Sequence, residues 1–132
     1  MNTDLVSLSF DSSFTGTMVS PTGTVKLGDQ NGGMQPYHLL YGALGSCFYA
    51  TFINIANKKR LSFQKATLEI SGTKRDEIPT TLCDVTINFV IYNPSDEVQF
   101  RKSAELGAKY CSIHETISKV ADMKLDVIFK YN

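Results

Sequence analysis

Three cysteines and two histidines are the side chains of this sequence whose types suit nucleophilic or redox chemistry. Cys47 stands in the longest uncharged stretch, since no Asp, Glu, Lys or Arg occurs between Asp29 and Lys58. Burial in such surroundings raises a thiol pKa and makes it inert, so Cys47 works as a nucleophile only if the fold brings it a cation or a donor. Cys111 precedes Ser112 at the mouth of a predicted helix, where unpaired N–H groups and the positive dipole end favour a thiolate. Cys83 alternates in phase with Val85, Ile87 and Phe89, which predicts a small hydrophobe in the core. No Cys-x-x-Cys pair exists and His38 lies far from His114, so the ligand spacing of a structural zinc is missing. Cys47 and Cys111 stay open, at this level, between packed core residue and working thiol.

The elements that must position these thiols follow from periodicity. Residues 4–10 alternate, with Val6, Leu8 and Phe10 on one side, and predict a strand. Residues 14–19 and 24–27, separated by the turn at Pro21-Thr22-Gly23, predict two more, so the chain opens as an antiparallel meander. After a glycine-rich loop, Pro36 suits the first turn of a helix that runs to about Asn57, where Lys58, Lys59 and Arg60 complement its negative end. Residues 66–75 and 81–92 alternate as two strands joined by a hairpin-like link through Pro79. Ser95 is placed as the cap of a helix to about Tyr110, with Phe100, Ala104, Gly107 and Cys111 on one side. Ser112-Ile113-His114-Glu115 has capping-box spacing, with Ser112 as the cap and Glu115 as its return partner. His114 is expected to be exposed or hydrogen-bonded without a catalytic role. Ile113, Ile117 and Val120 form the apolar face of this short helix. Residues 124–131 close the chain as a strand.

The order βββ-α-ββ-αα-β reads as an α+β domain, and 132 residues suit a single one. The 36–57 helix is apolar on most sides. Its length alone would allow a membrane span, but His38, Ser46, Asn54 and several tyrosines interrupt it within a chain that otherwise reads as soluble. One core of this size would struggle to surround it, so a homodimer is expected in which a partner completes its burial. Thirteen basic residues balance thirteen acidic ones, which leaves no net field to hold nucleic acid or an anionic membrane. An odd cysteine count and no visible signal segment favour a cytoplasmic setting with reduced thiols.

Three segments together resemble the OsmC/Ohr family, the osmotically induced protein C-like and organic hydroperoxide resistance proteins. They are Pro36-Tyr37-His38-Leu39-Leu40, Ala43-Leu44-Gly45-Ser46-Cys47 and Ala108-Lys109-Tyr110-Cys111-Ser112-Ile113. The resemblance covers roughly residues 36–130. It implies one OsmC-like domain over 1–132 and an intertwined homodimer whose long central helix packs on an antiparallel sheet, with active sites at the subunit interface. It also implies a thiol peroxidase in which Cys47 attacks an organic hydroperoxide and Cys111 resolves the sulfenic acid as a disulfide. No bound cofactor is implied, only an external dithiol reductant. An apolar pocket would suit a small apolar hydroperoxide. The peroxidase branches carry a Glu just after the helix-leading Pro, where this chain has Tyr37-His38. They also carry an Arg in the N-terminal half, where this chain has none before Arg60. Lys26 and His38 are the candidate substitutes for assisting Cys47. The alternative is a non-peroxidase OsmC-like protein that holds a small apolar ligand at the dimer interface or uses Cys47 in sulfur or acyl transfer. A purely structural dimer with core cysteines is the third.

Overall fold

The computed structural model describes all 132 residues, and the chain divides into two compact units, residues 1–40 and 41–132. In the first, β1 (Ser7–Phe10), β2 (Thr15–Val19) and β3 (Thr24–Gly28) form the expected antiparallel meander, in the order β1-β2-β3. Ser20 closes the β2–β3 turn, accepting from Gly23 N–H with its hydroxyl at 3.1 Å. Gly28 has φ +83°, and a Cβ there would lie 2.1 Å from the Phe14 carbonyl oxygen, so only glycine fits this departure from the strand.

Helix α1 (Pro36–Lys58) starts in the first unit and runs into the second. Gln35 precedes it, and its N–H donates to His38 Nδ1 at 3.0 Å, the return half of a capping box with histidine in place of Glu or Gln. The helix ends in a Schellman arrangement. Leu61 N–H reaches Ala56 O and Arg60 N–H reaches Asn57 O, with Arg60 held left-handed at φ 57°.

The second unit carries a three-stranded sheet of order β4-β5-β6: β4 (Lys65–Lys74), β5 (Leu82–Tyr92) and β6 (Asp122–Lys130). β4 and β5 are antiparallel, but β5 and β6 are parallel, so the sheet is mixed and not antiparallel as expected. The reason is the connection. Helices α2 (Glu97–Tyr110) and α3 (Ser112–Ser118) form a crossover that returns the chain to the end where β5 began. Central β5 buries Val85, Ile87, Phe89 and Ile91 in alternation. From α1, Leu44, Phe48, Phe52 and Ala56 form the facing stripe. Phe52 sits edge-on to Phe89 at 4.7 Å and near Phe100 of α2 at 6.0 Å, so aromatic rings join helix, sheet and second helix into one core. Gly107 of α2 lies so close that a Cβ would meet the Phe52 Cα at 3.2 Å.

Two local expectations are corrected. Asp96, not Ser95, caps α2, accepting from Gln99 N–H at 3.0 Å, while the Ser95 hydroxyl accepts from Ser62 N–H. Cys83 is exposed, not a core residue. The β4–β5 register jumps from Thr73↔Asp84 to Lys74↔Leu82, so Cys83 has no cross-strand partner and the bulge turns it off the buried face.

Candidate functional site: a paired-thiol centre

Two elements bring the site together within the 41–132 unit. Cys47 projects from the middle of α1, half-buried, and Cys111 is fully buried at the α2–α3 junction. Cys111 follows the buried positions Phe100, Ala104, Gly107 and Ala108 on the inner face of α2, which carries it into the core. The chain then turns at Cys111, with extended φ −74° and ψ 118°, and α3 begins.

The cap of α3 differs from the expectation. Cys111 is the cap, its Sγ accepting from His114 N–H at 3.3 Å. Ser112 is the first helical residue, and Glu115 pairs with Lys119 at 2.7 Å instead of returning to the cap. Capping chemistry needs an acceptor that reaches the third N–H, and the sulfur, one residue earlier than Ser112, supplies it. The Ser112 hydroxyl is thereby released and lies 3.9 Å from Cys47 Sγ.

These contacts separate the two thiols. Burial pushes Cys47 upward, but the Ile113 N–H, the Cys111 thiol, the Ser112 hydroxyl and the Ser112 N–H together outweigh it, so the net shift is downward. Cys111 moves the other way, to about 11, because burial and its hydrogen bond to Cys47 both favour the neutral thiol. The neighbouring thiolate adds a repulsion that the His114 and Ile113 N–H groups only partly offset. The two shifts are opposed, so Cys47 is the thiol of the pair that ionises first. Such an arrangement supplies a nucleophile with a second thiol held beside it.

Of the other site residues named from sequence, neither is a principal determinant of the Cys47 shift. His38 uses Nδ1 to hold Gln35 at the start of α1, and Lys26 lies on β3 opposite Thr17. Ser112 and the Ile113 N–H were missed, because Ser112 was assigned to the cap. The signal was present in the sequence as a sulfur one residue before the hydroxyl. Half-buried His114 is lowered by desolvation, with Glu115 partly opposing, so it is neutral near pH 7. The 41–132 unit also holds an apolar groove of about 500 Å³ between α1 and β4, walled by Tyr41, Gly45, Tyr49, Leu68 and Ile70. Cys47 does not line it, since two residues along a helix from Gly45 is a rotation of roughly 200°.

Residues 28–126 match the family model described as OsmC-like protein. A protein of Mycoplasma pneumoniae named hydroperoxide reductase is 25% identical over 99 residues, which is 72% of this chain and 70% of that protein. Among solved structures, a hypothetical protein from Aquifex aeolicus superimposes with a TM-score of 0.90 at 23% identity, covering 100% of this chain and 99% of the other. An OsmC-like protein from Mycoplasma pneumoniae gives 0.86 at 17% identity, covering 98% of each. The family match spans both cysteines and the helices that carry them: the chain belongs to the OsmC-like protein family.

Proposed function

We propose that this protein is a cysteine-based peroxidase that reduces organic hydroperoxides in a reducing, cytoplasmic setting. The observation that carries it is the placing of two free thiols at one junction, Cys47 on α1 beside Ser112 Oγ at 3.9 Å and Cys111 at the cap of α3, and their opposed shifts, Cys47 downward and Cys111 upward, support it. The name of the Mycoplasma relative supports the same substrate class. The Cys47 thiolate attacks the terminal oxygen of the hydroperoxide. A sulfur–oxygen bond forms, the oxygen–oxygen bond breaks, and the alkoxide takes a proton from solvent and leaves as the alcohol. The Cys111 sulfur then attacks the Cys47 sulfenic acid, giving up its proton as water departs and a disulfide closes. An external dithiol returns both sulfurs to the starting state. Stopped-flow reduction of cumene hydroperoxide with a dithiol tests the proposal. Turnover is expected to fall by about a hundredfold or more in Cys47→Ser, to the level of free thiol. Undiminished turnover in that variant, or wild-type turnover no faster than free thiol, removes it.

A second reading, a non-peroxidase protein that binds an apolar ligand, is favoured by one observation only: the groove at Tyr41, Leu68 and Ile70 is separate from the thiols. Native mass spectrometry of the purified protein discriminates. A retained apolar molecule supports binding, and a ligand-free protein with fast hydroperoxide turnover counts against it.

A further inference from the structure

Cys47 stands on α1 in a stretch without Asp, Glu, Lys or Arg from residue 30 to 57. We infer that Ser112 supplies it with a donor: the Ser112 hydroxyl, left free of the capping role by the Cys111 sulfur, donates a hydrogen bond to the Cys47 thiolate. This deepens the peroxidase reading and rests on it only for the use made of the thiolate.

The geometry carries the inference. Ser112 Oγ lies 3.9 Å from Cys47 Sγ, within reach of a sulfur hydrogen bond, and the two residues are brought together across α1 and α3. Had Ser112 capped the helix, its oxygen would have been an acceptor turned toward its own backbone. Instead His114 N–H is satisfied by Cys111 Sγ, and the Ser112 hydroxyl is left to face Cys47. The Ser112 carbonyl is separately held by the Thr116 hydroxyl at 3.0 Å, which fixes the residue on the first turn of α3. Cys111, from the α2–α3 junction, is the titratable group that faces Cys47, and the principal groups acting on Cys47 include no Lys, Arg or His side chain. The Ser112 hydroxyl is a neutral donor. It favours the charged sulfur without adding a net charge to the site.

The test is the pH dependence of Cys47 alkylation by iodoacetamide in the full chain, read by peptide mass spectrometry so that Cys83 and Cys111 are scored separately. In Ser112→Ala the midpoint is expected to rise by roughly half a pH unit to one unit, which slows labelling near pH 7 by about three- to tenfold. Ser112→Thr keeps a hydroxyl at the same place and is expected to restore the wild-type midpoint. Should the alanine chain fail to fold, Ser112→Gly makes the same deletion. An unmoved midpoint in the deletion variant, or a threonine chain that shifts as far as alanine, overturns the inference. Neither result depends on turnover. A protein inert to hydroperoxide removes the peroxidase reading and leaves this titration standing, while an unmoved midpoint removes Ser112 and leaves the peroxidase reading standing.

Discussion

Two thiols of equal intrinsic acidity separate here because one faces donors and the other faces the first. Ser112 Oγ lies within hydrogen-bond reach of Cys47, and the Ile113 N–H, the Cys111 thiol and Ser112 all favour its ionisation, whereas burial and the neighbouring Cys47 favour the neutral form of Cys111. In native protein at pH 8 to 9, Cys47 is expected to alkylate readily while Cys111 resists until the chain is unfolded, as peptide mapping at graded pH would show. The raised value also has a stability consequence. Between the unfolded value of 9.0 and about 11 the folded chain keeps a proton on Cys111 that the unfolded chain has released. Its contribution is therefore complete below about pH 9 and is lost as pH rises through the folded value. Thermal melts from pH 8 to 11 should decline more steeply for wild type than for Cys111→Ser, and equal slopes would contradict the buried-proton assignment. Sequence spacing made Cys111 a candidate through its place at a helix mouth, but nothing local linked it to Cys47. That link came from the family resemblance. The donors were hidden by a one-residue choice of cap, because serine is the commoner capping residue and sulfur is not expected in that role.

At the level of elements, close approach and capping leave measurable marks. Gly107→Ala gains about 1 kcal/mol of helix propensity. Yet its Cβ would press on the Phe52 backbone at 3.2–3.3 Å, which a buried helix cannot yield, so a net loss of about 1–2 kcal/mol is expected in chemical denaturation. Gly45→Ala meets only the tip of Ile70, a movable methyl, and should be near neutral. Arg60 holds a left-handed conformation that glycine adopts freely, so Arg60→Gly should raise stability by about 0.5–1 kcal/mol. Long periodic segments were legible: Pro36 marked the start of α1, and the alternation of Val85, Ile87, Phe89 and Ile91 marked β5. Two expectations failed, one local and one long-range. Extrapolating that alternation back to Cys83 ignored a bulge, which has no signature in hydrophobic pattern. The parallel β5–β6 pairing depends on where the α2–α3 crossover ends, a long-range outcome that periodicity does not encode.

For the whole molecule, the uneven burial of apolar surface is the main consequence. In the N-terminal unit Leu8, Phe10, Phe14 and Met34 are exposed, and 28% of the most apolar window of α1 is buried within the chain. Exposed apolar surface of this kind marks interaction sites, and we propose a second copy as the cover. Sedimentation should give a species of twice the chain mass. Phe10→Asp should dissociate it or reduce solubility, and a soluble monomeric wild type would contradict the proposal. The α+β class was readable from element order, while the expectation of a partner rests on an imbalance between an apolar helix and a small core. The peroxidase reading itself meets its most direct test in one experiment: reduced protein mixed with one equivalent of cumene hydroperoxide in the absence of dithiol, followed by mapping of the cysteine linkages. Rapid consumption of the peroxide with formation of a Cys47–Cys111 disulfide is the predicted result, and peroxide that persists, or a linkage through Cys83, would contradict it.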